Sequence, residues 1–95
     1  FLRPDSEIIA LIKPQFEAGK ENVGKGGVVR DVEVHRAVLA KVIAFCAHND
    51  WRVAGLIASP LKGPAGNVEF LIHLIAAPPI EFDAQAMIDA VLPHA

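Results

Sequence analysis

A chain of 95 residues with 53% hydrophobic and 21% charged side chains describes one packed α/β-sized domain and excludes a disordered tail. The formal net charge of −2 removes any global electrostatic pull toward a polyanion. The single cysteine, Cys46, excludes an intrachain disulfide and a cysteine-based zinc site, and makes a reducing, cytoplasmic setting the expectation.

The opening segment, Phe1-Leu2-Arg3-Pro4-Asp5, lacks an initiator Met and a basic-then-apolar signal pattern, so it reads as the interior of a longer coding sequence. Residues 7–12 (Glu-Ile-Ile-Ala-Leu-Ile) form a nearly continuous apolar run ended by Lys13-Pro14. Such runs suit a strand covered on both faces. Residues 14–30 contain Pro14 and the glycines Gly19, Gly24, Gly26 and Gly27, which predicts a long loop. Structureless loops beyond ~12–15 residues are uncommon in compact domains and are often functional. Between Lys13 and Arg30 the basic residues Lys13, Lys20, Lys25 and Arg30 outnumber the acidic Glu17 and Glu21. That excess fits a local anion site better than a broad nucleic-acid surface.

Asp31 is the predicted N-cap of a helix running to about Asn49. At 100° per residue, Val34, Val38, Leu39, Val42, Ile43, Phe45, Cys46 and Ala47 fill one arc, and Glu33, Arg36, Lys41 and His48 the other. His35 falls inside the apolar arc near the first turn; a helix-start histidine satisfied by a neighbour is the preferred reading over a chemical role. Trp51 to Ala58 predicts a second strand, ended by Ser59-Pro60, and the loop Leu61 to Gly66 follows. A third strand runs from about Asn67 to Ala76. Val68, Phe70, Ile72 and Leu74 share one of its faces, and Asn67, Glu69, Leu71, His73 and Ile75 the other. The apolar stretch Val68 to Ile80 is broken by Glu69, His73, Pro78 and Pro79, so it is no membrane span. After Pro78-Pro79 a short helix covers about Asp83 to Leu92. The order is β-α-β-β-α, a single α/β unit over residues 1–95 without internal repeat.

Topology singles out two of these residues. The strand–helix–strand portion predicts a right-handed parallel unit, and the short loop before the third strand makes that strand antiparallel to the second. If it also lies between the other two, its start stands beside the end of the first strand. Lys13 and Glu69 then meet at the carboxyl edge of the parallel strands, where ligands bind in open α/β sheets. The simpler reading of Lys13 is a solvated lysine ending a strand. A buried, unpaired carboxylate costs several kcal/mol, so Glu69 is either exposed or paired. His73 lies on the same face but four residues further, about 13 Å away, and reads as a packed or edge histidine. His48 and His94 read as surface residues. No His/Asp/Glu spacing indicates a metal, and no Ser-His-Asp set is visible.

Two glycine motifs fail on inspection. Gly19-Lys20-Glu21-Asn22-Val23-Gly24-Lys25-Gly26 nearly spells a P-loop, but Gly26 stands where a hydroxyl must hold Mg²⁺. The following helix also starts too late to cradle phosphates. Gly24-Lys25-Gly26-Gly27 matches the G-x-x-G of KH domains, yet here it joins a strand to a helix rather than two helices.

Longer motifs carry a resemblance. Leu11-Ile12-Lys13-Pro14-Gln15-Phe16-Glu17-Ala18-Gly19, Val23-Gly24-Lys25-Gly26-Gly27-Val28-Val29-Arg30-Asp31, Val34-His35, Ser59-Pro60-Leu61-Lys62-Gly63-Pro64, Gly66-Asn67 and Glu69-Phe70-Leu71 resemble the C-terminal half of the haemolysin A (TlyA-type) family. That family belongs to the FtsJ-like ribosomal RNA methyltransferases, and the likeness covers about residues 7–75. It implies the C-terminal part of a Rossmann-like methyltransferase fold, a mixed sheet whose last strand is antiparallel, with S-adenosylmethionine as cofactor, ribosomal RNA as partner and a ribose 2′-hydroxyl as methyl acceptor. Of the family's Lys-Asp-Lys-Glu tetrad, Lys13 resembles the second lysine and Glu69 the closing glutamate; Glu69 would hold the lysine in place while it steers or deprotonates the hydroxyl. The first lysine, the aspartate, the Gly-rich cofactor motif and the S4-type RNA-binding domain are implied to lie upstream of residue 1. No cofactor-binding or metal-binding residue is therefore expected within this stretch, which by itself should transfer no methyl groups. Lys20, Lys25, Arg30 and Lys62 are the candidate contacts to RNA phosphates. A competing reading is a non-catalytic α/β module that grips RNA through the basic loop 19–30. The haemolysin name finds no pore or amphipathic membrane segment here. The apolar strand Ile8 to Ile12, lacking an outer partner, is expected to drive homodimerisation through its edge or through an uncovered sheet face.

Overall fold

A computed structural model describes residues 3–93; His94 lies outside them. Three strands, β1 (Glu7–Ile12), β2 (Arg52–Ala58) and β3 (Phe70–Ile75), form one sheet in the order β1-β3-β2. β3 pairs antiparallel with both neighbours, so β1 and β2 point the same way across it. Both hydrogen-bonded ladders are thus antiparallel, and the parallel relation expected between the first two strands exists only through the strand inserted between them.

Three helices accompany the sheet: a single turn, α1 (Pro14–Glu17), the long α2 (Val32–His48) and α3 (Ala84–Val91). The ends of α2 follow from side-chain chemistry. The Asp31 carboxylate accepts the Glu33 amide at 2.8 Å, tying down an orphan donor of the first turn. At the other end Asp50 turns left-handed (φ 61°), and the Trp51 and Asp50 amides donate to the Cys46 and Ala47 carbonyls at 3.0 and 3.4 Å. Asp83 caps α3 in the same manner, accepting the Ala86 amide at 3.0 Å.

α2 and α3 pack on one face of the sheet. Ile12, Val53, Leu56, Phe70, Ile72 and Leu74 meet Val38, Leu39, Ile43 and Ile88 there, with Phe70, Leu39 and Ile88 fully enclosed. The opposite face carries no element among the described residues. Ile9, Leu11 and Ile57 are 63%, 47% and 56% exposed on it. The expectation that Glu7–Ile12 is covered on both faces is therefore corrected: only Ile12 is buried, because the layer that would cover the other side is not formed by this stretch.

Three further departures have local causes. Phe45, placed on the apolar arc of α2, is 67% exposed, since the sheet contacts a narrower stripe centred on Val38, Leu39, Ile43 and Cys46. β2 does not alternate: Val53 and Leu56, three apart, both face the core. A register shift between Val53 and Gly55 inserts Ala54 as an extra residue and re-phases the strand. Finally, residues 14–30 are not a structureless loop. They hold α1, a 3₁₀ turn at Lys20–Asn22 and a small hairpin in which Gly24 donates to Val28 at 2.8 Å. No described helix is long and apolar enough to cross a membrane.

Candidate active site at the sheet rim

The β1–β3 register pairs Ile12 with Phe70, so Lys13 and Glu69 are the next residues outward on the two strands. The two groups singled out by topology do stand at one rim. Their contacts, however, differ from a direct pair. The ion pairs among the described residues are Glu33–Arg36, Arg36–Asp89 and Glu7–His73; Lys13 and Glu69 share the rim without touching. The Lys13 ammonium sits 5.7 Å from the Phe16 ring centroid, a cation–π contact on an exposed ring.

Glu69 is 5% exposed and is paired after all, with a residue that sequence reasoning did not weigh. Pro14, buried at the first position of α1, fixes the backbone for a helical turn immediately after β1. That turn returns Gln15 over the start of β3, where its Nε2 donates to Glu69 Oε2 at 2.7 Å. The Glu69 carboxylate also lies directly on Gly63, where any added Cβ would overlap it. Gly63 is required for space, not for conformation, since its φ is −78°. The Glu69 backbone carbonyl accepts the Ser59 amide at 2.8 Å, closing the edge between β2 and β3.

Asn67 organises what surrounds this rim. It is 1% exposed; its Oδ1 accepts the Val29 amide at 3.0 Å, and its Nδ2 donates to the Gly27 and Pro64 carbonyls at 2.9 Å each. One side chain thus fastens hairpin 24–28 to the loop before β3. An Asn opening an apolar strand after Gly66 was the available signal, but its partners Val29 and Gly27 lie some forty residues away in sequence. His35 completes the clasp. Its Nε2 donates to the Val29 carbonyl at 3.1 Å and its ring meets Phe70 edge-on, with centroids 5.8 Å apart. Burial pushes its pKa below the ordinary 6.5, against the raising effects of the Val29 carbonyl and Asp31, while nearby Lys62 lowers it further. The structural reading of His35 as a satisfied helix-start histidine holds.

The candidate phosphate contacts divide. Lys20 lines a shallow concavity of about 460 Å³ with Gln15, Phe16, Gly19 and Val23, beside the rim. Lys25 and Arg30 stand on the clasped hairpin, where Arg30 Nη1 also donates to the Lys25 carbonyl at 3.2 Å, and exposed Lys62 belongs to the facing loop. His73 is remote from Glu69 and bonds Glu7 at 2.7 Å. Among the described residues no group of three or more His, Cys, Asp or Glu could hold a metal.

A model of the FtsJ-like methyltransferase family matches residues 3–76. Bacillus subtilis YqxC, provisionally named an rRNA methyltransferase, is 53% identical over 77% of this chain and 26% of its own length. The 16S/23S rRNA (cytidine-2′-O)-methyltransferase TlyA of Mycobacterium tuberculosis is 40% identical over 92% of this chain and 32% of its own. A Lactococcus lactis crystal structure, provisionally designated a hemolysin, superposes with a TM-score of 0.80 at 42% identity, covering 94% of this chain and 44% of that one. The chain accordingly spans between about a quarter and a third of the curated relatives it matches. Its sheet topology and its match over most of its length place the chain in the FtsJ-like methyltransferase family.

Proposed function

We propose that this chain is the C-terminal portion of an S-adenosylmethionine-dependent methyltransferase acting on a ribose 2′-hydroxyl of ribosomal RNA, and that Lys13 and Glu69 belong to its reacting rim. The observation that carries the reading is a buried carboxylate held at the end of the sheet where β1 delivers a lysine, in a chain whose relatives include rRNA 2′-O-methyltransferases. Such a reaction needs the hydroxyl aligned with the incoming methyl group and relieved of its proton. Lys13, tethered only by the face of Phe16, is free to swing onto a hydroxyl oxygen. Glu69, immobilised by Gln15 and Gly63, supplies the fixed negative charge that keeps a cation at the rim. S-adenosylmethionine supplies the methyl group, and a ribosomal substrate makes the setting cytoplasmic.

Lys20, Lys25, Arg30 and Lys62 are the proposed phosphate contacts. The 95 residues alone transfer no methyl group, and they self-associate through β1 or the open sheet face. In the full-length protein, Lys13→Ala and Glu69→Ala each lower transfer of labelled methyl to ribosomal RNA by at least about 100-fold; full activity in both variants refutes the assignment. If instead the chain is a binding module, RNA affinity falls steeply with salt and with Lys20→Ala or Lys25→Ala while both rim variants are silent.

A further inference from the structure

We infer that Gln15 is a positioning residue of this rim: its side-chain amide orients the Glu69 carboxylate and offers its own carbonyl as the seat for the Lys13 ammonium. The inference rests on reading Lys13 and Glu69 as the reacting pair.

Three observations lead to it. Among the described residues Lys13 and Glu69 form no direct ion pair, and Gln15 bonds the carboxylate in its stead: Nε2 reaches Glu69 Oε2 at 2.7 Å, a charge-assisted bond to a buried acceptor. The carboxylate is further confined by Gly63, which lies so close to it that an added methyl group would overlap it. Gln15 Oε1, moreover, is the one buried side-chain polar atom among the described residues with no hydrogen-bond partner.

Buried acceptors are almost always satisfied, so an orphan carbonyl beside a reacting pair marks a donor that arrives in another state. Rotating the amide by half a turn gives no relief, since it would press the carbonyl oxygen against the carboxylate. Lys13 is a candidate donor two residues earlier in the chain, at the same rim, and its ammonium rests on an exposed ring. An ammonium has three N–H groups. One can bond the Gln15 carbonyl and leave the others for an acceptor oxygen. Gln15 thereby links cation and carboxylate through one rigid amide, and the spacing between them is set by a planar group.

The test uses the full-length protein, with labelled methyl donor and ribosomal RNA. Gln15→Glu keeps the shape and replaces the donor with a second carboxyl; Gln15→Met keeps the volume and removes both polar atoms. Both are expected to lower kcat about 10- to 100-fold while KM for RNA changes less than about 2-fold. Gln15→Glu should also move the acid limb of the pH–rate profile to higher pH, because two carboxyls at that distance share a proton. A loss of packing alone would not do this. In the unaltered protein, the Gln15 side-chain NH₂ should exchange slowly with solvent and lose that protection in Glu69→Ala, a readout that needs no folded Gln15 variant. Unchanged kcat and pH profile in both Gln15 variants, with Lys13→Ala and Glu69→Ala inactive, overturns this inference and leaves the site standing. A fast-exchanging Gln15 amide overturns it equally. Full activity in Lys13→Ala and Glu69→Ala removes the site, and Gln15's role with it.

Discussion

The two faces of the three-stranded sheet are built from similar residues and have opposite fates. On one, Phe70, Ile72 and Leu74 disappear beneath α2 and α3. On the other, Ile9, Leu11 and Ile57 remain exposed, and Ile9 and Ile57, with Gly55, Leu71 and His73, border an apolar hollow of about 290 Å³. Apolar composition makes a face adhesive; whether it is covered depends on what else the chain provides. The closed face anchors the rim where Glu69 and Asn67 are held, whereas the open face contributes area without enclosure.

Substitutions can break or sharpen this contrast. The largest effect is expected from Phe70→Ala, which empties the centre of the closed face and removes the edge-on contact with His35. It should cost about 3–5 kcal/mol in urea unfolding, whereas Leu71→Ala, its neighbour on the open side, should cost under about 1 kcal/mol. Equal costs would mean that the faces are equally packed. Asn67→Ala strands the Val29 amide and the Gly27 carbonyl, while the Pro64 carbonyl keeps the backbone amide of residue 67. A loss of roughly 2–4 kcal/mol is expected, with amide exchange accelerating first in residues 24–30.

A third test uses pH. Burial holds the native His35 pKa below 6.5, so the unfolded chain takes up that proton first as pH falls. The His35 contribution is complete above about pH 6.5 and is drained as pH drops through the lowered native value. Urea midpoints measured across that window should fall toward acid, and His35→Gln should flatten the slope; an unaltered slope would place the effect in other groups. The smallest change in stability, within about 0.5 kcal/mol, is expected for Ile9→Lys on the open face. The same substitution should return a self-associated sample to monomer in light scattering. A monomer before substitution would show that the open face is not adhesive in this chain.

Legibility followed sequence range. Asp31 and Asp83 announced their helices because a cap acts on amides two or three residues away. The alternation of Phe70, Ile72 and Leu74 grouped them on one face of β3, and strand order placed Lys13 beside the β3 start. Gly55 was the mark of the β2 bulge, yet a glycine in a strand does not by itself tell which residue is extra. Phe45 was misplaced because periodicity gives the direction of an apolar arc and not the width of the surface that meets it. The glycines of 14–30 pointed to irregular backbone; Pro14 at a first helical position was the overlooked sign of α1.

What the amino-acid order determined by itself was local: strand and helix positions, caps, the grouping of residues on each face of β3, and the family motifs. Only the tertiary structure decided who touches whom at the rim. Gln15 reaches a carboxylate 54 positions away and Asn67 an amide 38 away, and Gly63 yields its missing Cβ to Glu69. Such contacts depend on where independent elements are brought together, and a hydrogen bond that tolerates tenths of an ångström cannot be read from spacing along the chain.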